Sequence, residues 1–485
     1  MMRKEKDIIG EKKIPAEALY GINALRACEN FPNDTRFNVR WYKAMGTVKQ
    51  ALYLTIQRYQ AELQQQYPEL KTLQKISDEH LQAMIKAASE IGQGKHTDHF
   101  IVPAIQGGAG TSINMNINEI ISNRALQLLN HNLGSYSIID PFESANLFQS
   151  TNDVVPTALK MAVMMALNEL EEKINALRFS IEKQETSHRD SLRISYTQMQ
   201  AAVPSSFGKL FSAYNDALSR DWWRVSKCFE RIKQANLGGS AIGTGITVPR
   251  YVIMEAIREL QKLTDLPLTR GENLVDTTSN LDNWTEIHAT LKAHAVNLEK
   301  ISNDLRLLAS DVSDGKSLSL PQKQVGSSVM PGKVNPVIPE YIISIAHQVY
   351  ANDQQISALC GQSLLELNAY IPSIGHAVLN TLDLLISACD TMKTNMIEGM
   401  KVNAENAYHQ LINNSSVTTA FVPFIGYHKS AEIAKIMKKE QSDVFAAAEI
   451  SGYINKKQVE EIIKPENLLK LGFSVKDFIN FNQND

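Results

Sequence analysis

The sequence predicts a mostly α-helical protein of three domains, organised round a central bundle of unusually long helices. Three observations carry that expectation. The 485 residues exceed what one core usually holds, at roughly 150 residues per domain. The 24 Gly and 16 Pro are about 8% of the chain, against an average near 12%, and none falls within 157–203, 209–237, 272–314 or 340–360. Such runs far exceed the usual helix of about 11–12 residues. Finally, Trp284, Ile287, Leu291, Ala295, Leu298, Ile301, Leu305 and Leu308 recur at spacings of three and four, a helical stripe and not a strand alternation.

The first domain, 1–148, reads as mixed but mainly helical, with helices near Tyr42–Leu63 and Asp78–Gly92 and a Gly-rich break at Gly107–Gly110. The central domain, 149–404, opens with a helix running from Pro156 into Leu167, with Asp153 in its N-cap region and good helix formers after it. Its most apolar stretch, Thr157–Leu170, is interrupted by Lys160 and is too short to span a bilayer. The best strand signal is Ser191–Met199. The last domain, 405–485, carries shorter helices at Ser430–Lys439, Ser442–Ser451 and Lys456–Ile463. No fixed-period repeat or low-complexity segment is present.

Charge and composition exclude several function classes. The chain is 44% hydrophobic and 21% charged, close to the globular average and unlike a disordered chain. With 49 basic against 52 acidic residues, a net charge of −3 and a pI near 6.4, nothing points to nucleic acid or an anionic membrane as a partner. Cys28, Cys228, Cys360 and Cys389 have no disulfide-framework or metal-site spacing and read as free thiols. The charged start MMRKEKDIIGEKKIP lacks the apolar core of a signal peptide, so the expected location is the cytoplasm.

The chemistry concentrates in the segment Gly326-Ser-Ser-Val-Met-Pro-Gly-Lys-Val-Asn-Pro336. Two Gly and two Pro make it a loop between long helices. Its Ser327, Ser328, Lys333 and Asn335 offer one fixed positive charge and several neutral donors, a set suited to a carboxylate; the plainer reading is an ordinary polar connection. Three further polar clusters sit at expected helix starts or strand ends: Gly110–Asn116, Gln149–Asp153 and Tyr196–Gln200. Each alone reads as capping, but together they fit a site for a small dianion. His96, Asp98 and His99 lack a third distant ligand and read as solvated or capping groups. Gly238–Gly245 follows a helix and lacks the βαβ setting of a dinucleotide loop. Trp222 and Trp223 read as core or subunit interface, and His188–Asp190 as a polar helix end.

The loop GSSVMPGKVNP resembles the signature loop of the aspartase/fumarase superfamily, and the three other clusters resemble that superfamily's further site segments in the same chain order. Val417–Gly426 with Ala431–Ala434 is similar to the C-terminal domain of its fumarase/aspartase branch, so the resemblance runs over nearly the whole chain. The STND form at 150–153, Gln198 after Thr197, NLGGSAIGTG at 236–245 and ISNDLRLLAS at 301–310 fit the aspartase side best; fumarases usually carry Ser in place of Thr151 and His in place of Gln198. The argininosuccinate and adenylosuccinate lyases share the loop and diverge elsewhere.

The resemblance implies reversible anti elimination of ammonia from L-aspartate to give fumarate, through an aci-carboxylate, with no cofactor and no metal at the chemical step. It implies that Thr111, Ser150, Thr151 and Ser328 hold the β-carboxylate. Thr197, Lys333 and Asn335 would hold the α-carboxylate, and Asn152 and Gln198 would face the amino group. Ser327 matches the general base, which needs backbone N–H donors and the nearby Lys333 to act near neutral pH. Gly326 and Gly332 fit the hinges of a closing loop. The family pattern is a homotetramer with each site assembled from three subunits.

Two positions depart from the fumarase pattern. Glu340 matches a Glu that pairs with His there, but Gln198 cannot relay a proton. Phe207-Gly-Lys-Leu210 puts Lys209 where a neutral or acidic group is common. Fumarase, a lyase for a substituted aspartate, and an inactive structural paralogue are the alternatives.

Overall fold

Segments without Gly or Pro become long helices because nothing in them breaks the i→i−4 ladder. The computed structural model describes residues 1–73, 76–312 and 316–483. Its longest helices are Val39–Gln66, Thr151–Ser187, Phe207–Ile232, Asp282–Leu308, Val337–Cys360 and Ile371–Thr391. Each of the four Gly/Pro-poor runs carries most of one of them, and three of these helices begin a few residues earlier, across Pro156, Gly208 and Pro339; the fold is the mostly α, long-helix architecture expected. In the Asp282–Leu308 stripe every residue from Trp284 to Leu305 is buried, and only Leu308 at the helix end is half-buried.

Local signals explain the boundaries. Asp78–Gly92 begins where Ser77 accepts the His80 amide, and Val39–Gln66 begins where Asn38 accepts that of Arg40, in each case supplying an orphan N–H with an oxygen. The three helices expected in the C-terminal segment span Tyr427–Glu440, Val444–Ser451 and Lys456–Ile462. The last is closed by a reciprocal Asn455–Gln458 capping box.

The chain forms two compact units. One comprises Met1–Glu171, Trp223–Ala293 and His347–Ile386; the other comprises Glu172–Trp222, His294–Ala346 and Ser387–Asp485. Each unit gathers stretches distant in sequence.

Strand content among the described residues is four two-stranded pairings. Met2–Lys6 pairs antiparallel with Glu11–Pro15, a hairpin hidden in the sequence because charged residues fill both strands. Leu192–Thr197, inside the predicted Ser191–Met199, pairs antiparallel with Gln200–Ser206. Leu192 and Ile194 insert into a core with Val417, Phe421, Ile433, Val444 and Val459, which anchors this hairpin.

Three details differ from or add to the sequence reading. The helix expected from Pro156 starts at Thr151, because Ser150 and Asp153 cap it upstream of the proline. Lys160, which interrupts the apolar run Thr157–Leu170 in sequence, is itself buried, with its ammonium on the Gln234 carbonyl. The stretch that reads as most apolar in sequence is Thr157–Leu170, whereas among the described residues the helix long and apolar enough to cross a membrane, by length and composition, is Ile371–Ile397. Of its apolar window 67% is buried, as in a core helix.

Candidate active site

The first unit carries Thr111, Ser150, Thr151 and Asn152. Gly108, Ala109 and Gly110 all have positive φ, 84°, 57° and 94°, and this left-handed approach delivers Thr111 as the first residue of the Thr111–Leu128 helix. A Cβ on Gly110 would stand 3.0 Å from Val155 Cγ1, so glycine lets this turn close on the Thr151–Ser187 helix. Asn114 Nδ2 donates to Thr151 Oγ1 at 3.3 Å. The structure therefore brings the Thr111 and Ser150–Asn152 segments together.

Ser150 and Asp153 form a reciprocal cap. Ser150 Oγ accepts the Asn152 amide at 3.2 Å, and Asp153 Oδ1 accepts the Ser150 amide at 3.0 Å, which satisfies donors at the helix start. Asp153 Oδ2 also accepts the Ser240 amide at 3.0 Å, tying the segment to the 236–245 loop. Asn152 Nδ2 donates to Ala241 O at 2.8 Å. Burial pushes the Asp153 carboxyl up to about 7. Lys49, fully buried with Nζ 3.4 Å from Asn146 Oδ1, is pushed down to about 7 for the same reason; each charge opposes the other's shift. Asn146 Oδ1 also accepts from Asn114 and Asn118.

Sequence reasoning missed Lys49, Asn118, Asn146 and Asn236 behind this segment. Their signal is weak, since polar residues on long helices, as Lys49 and Asn118 are, ordinarily read as solvated faces, and Asn146 and Asn236 sit in turns where Asn is common.

The second unit carries the remaining candidates. The Tyr196–Gln200 cluster is not a helix start: Thr197 and Gln200 close a two-residue hairpin turn whose central residues Gln198 and Met199 both have positive φ, 51° and 60°. This is the type I′ geometry that matches strand twist and normally takes Asn or Gly. A non-glycine residue in this region costs roughly 1–2 kcal/mol. Thr197 and Gln198 are exposed at the tip.

In the signature loop, Ser327 Oγ accepts the amides of Met330 and Val329 at 2.9 and 3.2 Å. Met330–Lys333 is a turn with Lys333 N to Met330 O at 3.3 Å; Pro331 and Gly332, at φ 78°, occupy the two centres that type II geometry favours for them. The loop base is closed by Gly326 N to Lys333 O at 2.9 Å and Asn335 Nδ2 to Gly326 O at 2.7 Å. A Cβ on Gly326 would lie 2.4 Å from Asn335 N, so only glycine fits there. Ser328 and Lys333 are exposed and Ser327 half-buried. Glu340, in the first turn of the next helix, pairs with Arg306 at 3.2 Å, a partner that sequence reading did not supply.

The features set aside behave as local structure. His96 Nε2 lies 2.8 Å from Glu90 and His99 Nδ1 accepts the Leu19 amide; among the described residues no cluster of three or more His, Cys, Asp or Glu could hold a metal. Trp223 is 58% exposed, which removes it from the core. The Lys209 amide caps onto Ser206 Oγ, and its residue lines a cavity of 550 Å³ with Arg189, Asp190 and Glu466.

Comparison with known proteins decides the family. A lyase family model matches residues 10–351, and a fumarase C C-terminus model matches 417–470. The chain belongs to the aspartase/fumarase superfamily. It is a carbon–nitrogen or carbon–oxygen lyase of that superfamily. An aspartate ammonia-lyase from Bacillus sp. is 36% identical over 475 residues, 98% of each chain. One from Escherichia coli K12 is 33% identical over 482 residues, again 98% of each. Among superfamily structures, a fumarate lyase:delta crystallin from Brucella melitensis superposes with a TM-score of 0.89 at 34% identity, over 97% of this chain and 100% of that one.

Proposed function

We propose that this lyase acts on a dicarboxylate and is an aspartate ammonia-lyase, eliminating ammonia from L-aspartate in an anti sense to give fumarate. The carrying observation is Ser327: its Oγ accepts two backbone amides, which favours the deprotonated oxygen a serine needs to act as a base. Ser327 Oγ takes the proton from the carbon next to the β-carboxylate. The C–H electron pair moves into that carboxylate, giving an aci-carboxylate whose added charge Thr111, Ser150, Thr151 and Ser328 stabilise. The pair then forms the C=C bond as the C–N bond breaks and ammonia departs. Thr197, Lys333 and Asn335 hold the α-carboxylate, and Asn152 and Gln198 face the amino group. Lys333 supplies the one formal charge in a loop of neutral donors.

The proposal includes the three segments 1–148, 149–404 and 405–485 as domains, and a homotetramer in which each site draws on three subunits. Exposed apolar residues on long helices, such as Phe179 and Val296, support self-association. Gln198 argues against the hydratase alternative, since an amide cannot shuttle a proton, and Glu340 is engaged by Arg306. The test is fumarate absorbance with purified protein and L-aspartate, L-malate in parallel. A rise with aspartate alone is expected. A rise with malate alone means a fumarase, and no rise with either moves the substrate to a substituted aspartate.

A further inference from the structure

Arg193 stands apart from every other cation in the second unit. It is only 8% exposed, yet among the described residues no hydrogen bond or ion pair reaches its guanidinium. Burying a charge without such direct partners is unfavourable; the Asp304 carboxylate favours it through space, and its close contacts are aromatic. The guanidinium carbon lies 5.3 Å from the centre of the Phe207 ring and 6.0 Å from that of Tyr196. Phe207 is fully buried and opens the Phe207–Ile232 helix, whereas Tyr196 is half exposed at the hairpin tip. Arg193 therefore links a buried ring to a half-exposed one through two cation–π contacts.

The hairpin tip needs such a link. Gln198 and Met199 both hold left-handed backbone without glycine, a conformation that persists only where its surroundings over-determine it. Just before the tip the pairing slips, from Ile194 opposite Pro204 to Tyr196 opposite Ala201. Ser195 Oγ fills that slip, donating to Val203 O at 2.5 Å and accepting from Val203 N at 3.2 Å. Below the slip, Leu192 and Ile194 are held by the core; above it, Ala201 packs on that core and its carbonyl accepts from Ser416 Oγ at 3.4 Å, and the Arg193–Tyr196 stack clamps the opposite strand.

We propose that Arg193 is a positioning residue, clamping Tyr196 against Phe207 so that the strained Gln198–Met199 turn presents Thr197 and Gln198 to the substrate. The presentation rests on the proposed function; the clamp itself does not. The α-carboxylate assigned to Thr197 gains no charge during elimination, so a loosened turn removes uniform binding and raises KM more than it lowers kcat.

The test pairs hydrogen exchange with steady-state kinetics on the full-length protein. In Arg193→Met the amides of 195–201 should exchange about tenfold faster, with KM for L-aspartate up about fivefold and kcat within about twofold. Arg193→Lys keeps a cation over the rings and should stay near wild type in both. Tyr196→Ala, at a half-exposed site, should reproduce the Met variant, and Tyr196→Phe should not. Unchanged exchange in Tyr196→Ala overturns the clamp, whether or not Arg193→Met folds. Faster exchange with unchanged KM in a protein that turns over aspartate overturns its role in binding. Wild-type silence toward aspartate counts against the proposed function alone, because exchange still judges the clamp.

Discussion

Asn236 Nδ2 donates to the carbonyl of Asn152 at 2.8 Å, the carbonyl that Pro156 leaves without its helical partner. Pro156 lies inside the Thr151–Ser187 helix and has no amide hydrogen to return to residue i−4. The same Asn236 nitrogen donates to Thr278 Oγ1 at 2.8 Å, so one side chain joins the start of the longest helix to a neighbouring one. Asn236→Ala should destabilise the protein by about 1–3 kcal/mol through an orphaned buried carbonyl, read as a lower urea midpoint. Pro156→Ala supplies the missing amide, so the double variant should recover part of that loss. Strict additivity of the two changes would show that they do not share the Asn152 carbonyl.

Acid should act on the first unit through Glu90. Arg124 grips its carboxylate through Nε at 2.6 Å and a second nitrogen at 3.0 Å, and His96 adds a contact at 2.8 Å. The Arg124 hydrogen bond first, then His96, hold Glu90 down at about 2. A carboxyl whose folded pKa lies below its unfolded value near 4.3 stabilises the fold above the unfolded value. That contribution fades as pH falls toward 2. With allowance for solvent screening, Glu90→Gln should cost about 1–2 kcal/mol at pH 6, and the gap to wild type should close by pH 2. Urea midpoints across that range measure it; a gap that persists at pH 2 would assign the difference to packing.

How much of this was legible in the sequence depended on whether the signal was local. Helix existence was local: the absence of Gly and Pro and the Trp284–Leu305 stripe suffice, and Asp78–Gly92 emerges with the expected bounds. The loop at 326–336 was local too, since Gly326, Pro331 and Gly332 write its turns directly. What failed was long-range. Met2–Lys6 has no alternation because its pairing with Glu11–Pro15 is set by backbone and not by an apolar face. The burial of Lys160 is not legible because nothing nearby shows that the Gln234 carbonyl, 74 residues on, receives it. The Tyr196–Gln200 cluster fits the strand end expected of it, but its tight turn is not legible, because Gln and Met give no hint of positive φ. Arg306 opposite Glu340 was invisible for the same reason as Lys160.

Ser327→Ala separates the proposed base from the loop that carries it. The substitution leaves the Val329 and Met330 amides without their acceptor at a half-buried site, where water can replace it. Fold and oligomeric state should therefore persist. Turnover of L-aspartate should fall by a factor on the order of 10²–10⁴, the range general-base removal gives. Ser328→Ala, assigned to carboxylate binding, should lose much less. Near-wild-type kcat in Ser327→Ala, read by fumarate absorbance, would discard the assignment of the base.

Gly332 offers a purely conformational handle on the same loop. Its φ is 78°, and a Cβ there meets nothing within 4 Å, so a substitution is penalised by backbone preference and not by a clash. Gly332→Ala should raise the energy of the Met330–Lys333 turn by roughly 1–2 kcal/mol. Gly332→Asn should do so less, because Asn tolerates the left-handed region. Gly326 differs: a Cβ there would strike Asn335 N at 2.4 Å, so Ala and Asn should be equally damaging at that position. The order of activities expected is wild type, then Gly332→Asn, Gly332→Ala and Gly326→Ala, with global stability little changed in the two exposed Gly332 variants. Equal losses for Asn and Ala at 332 would mean that the turn's left-handed residue is not what limits the loop.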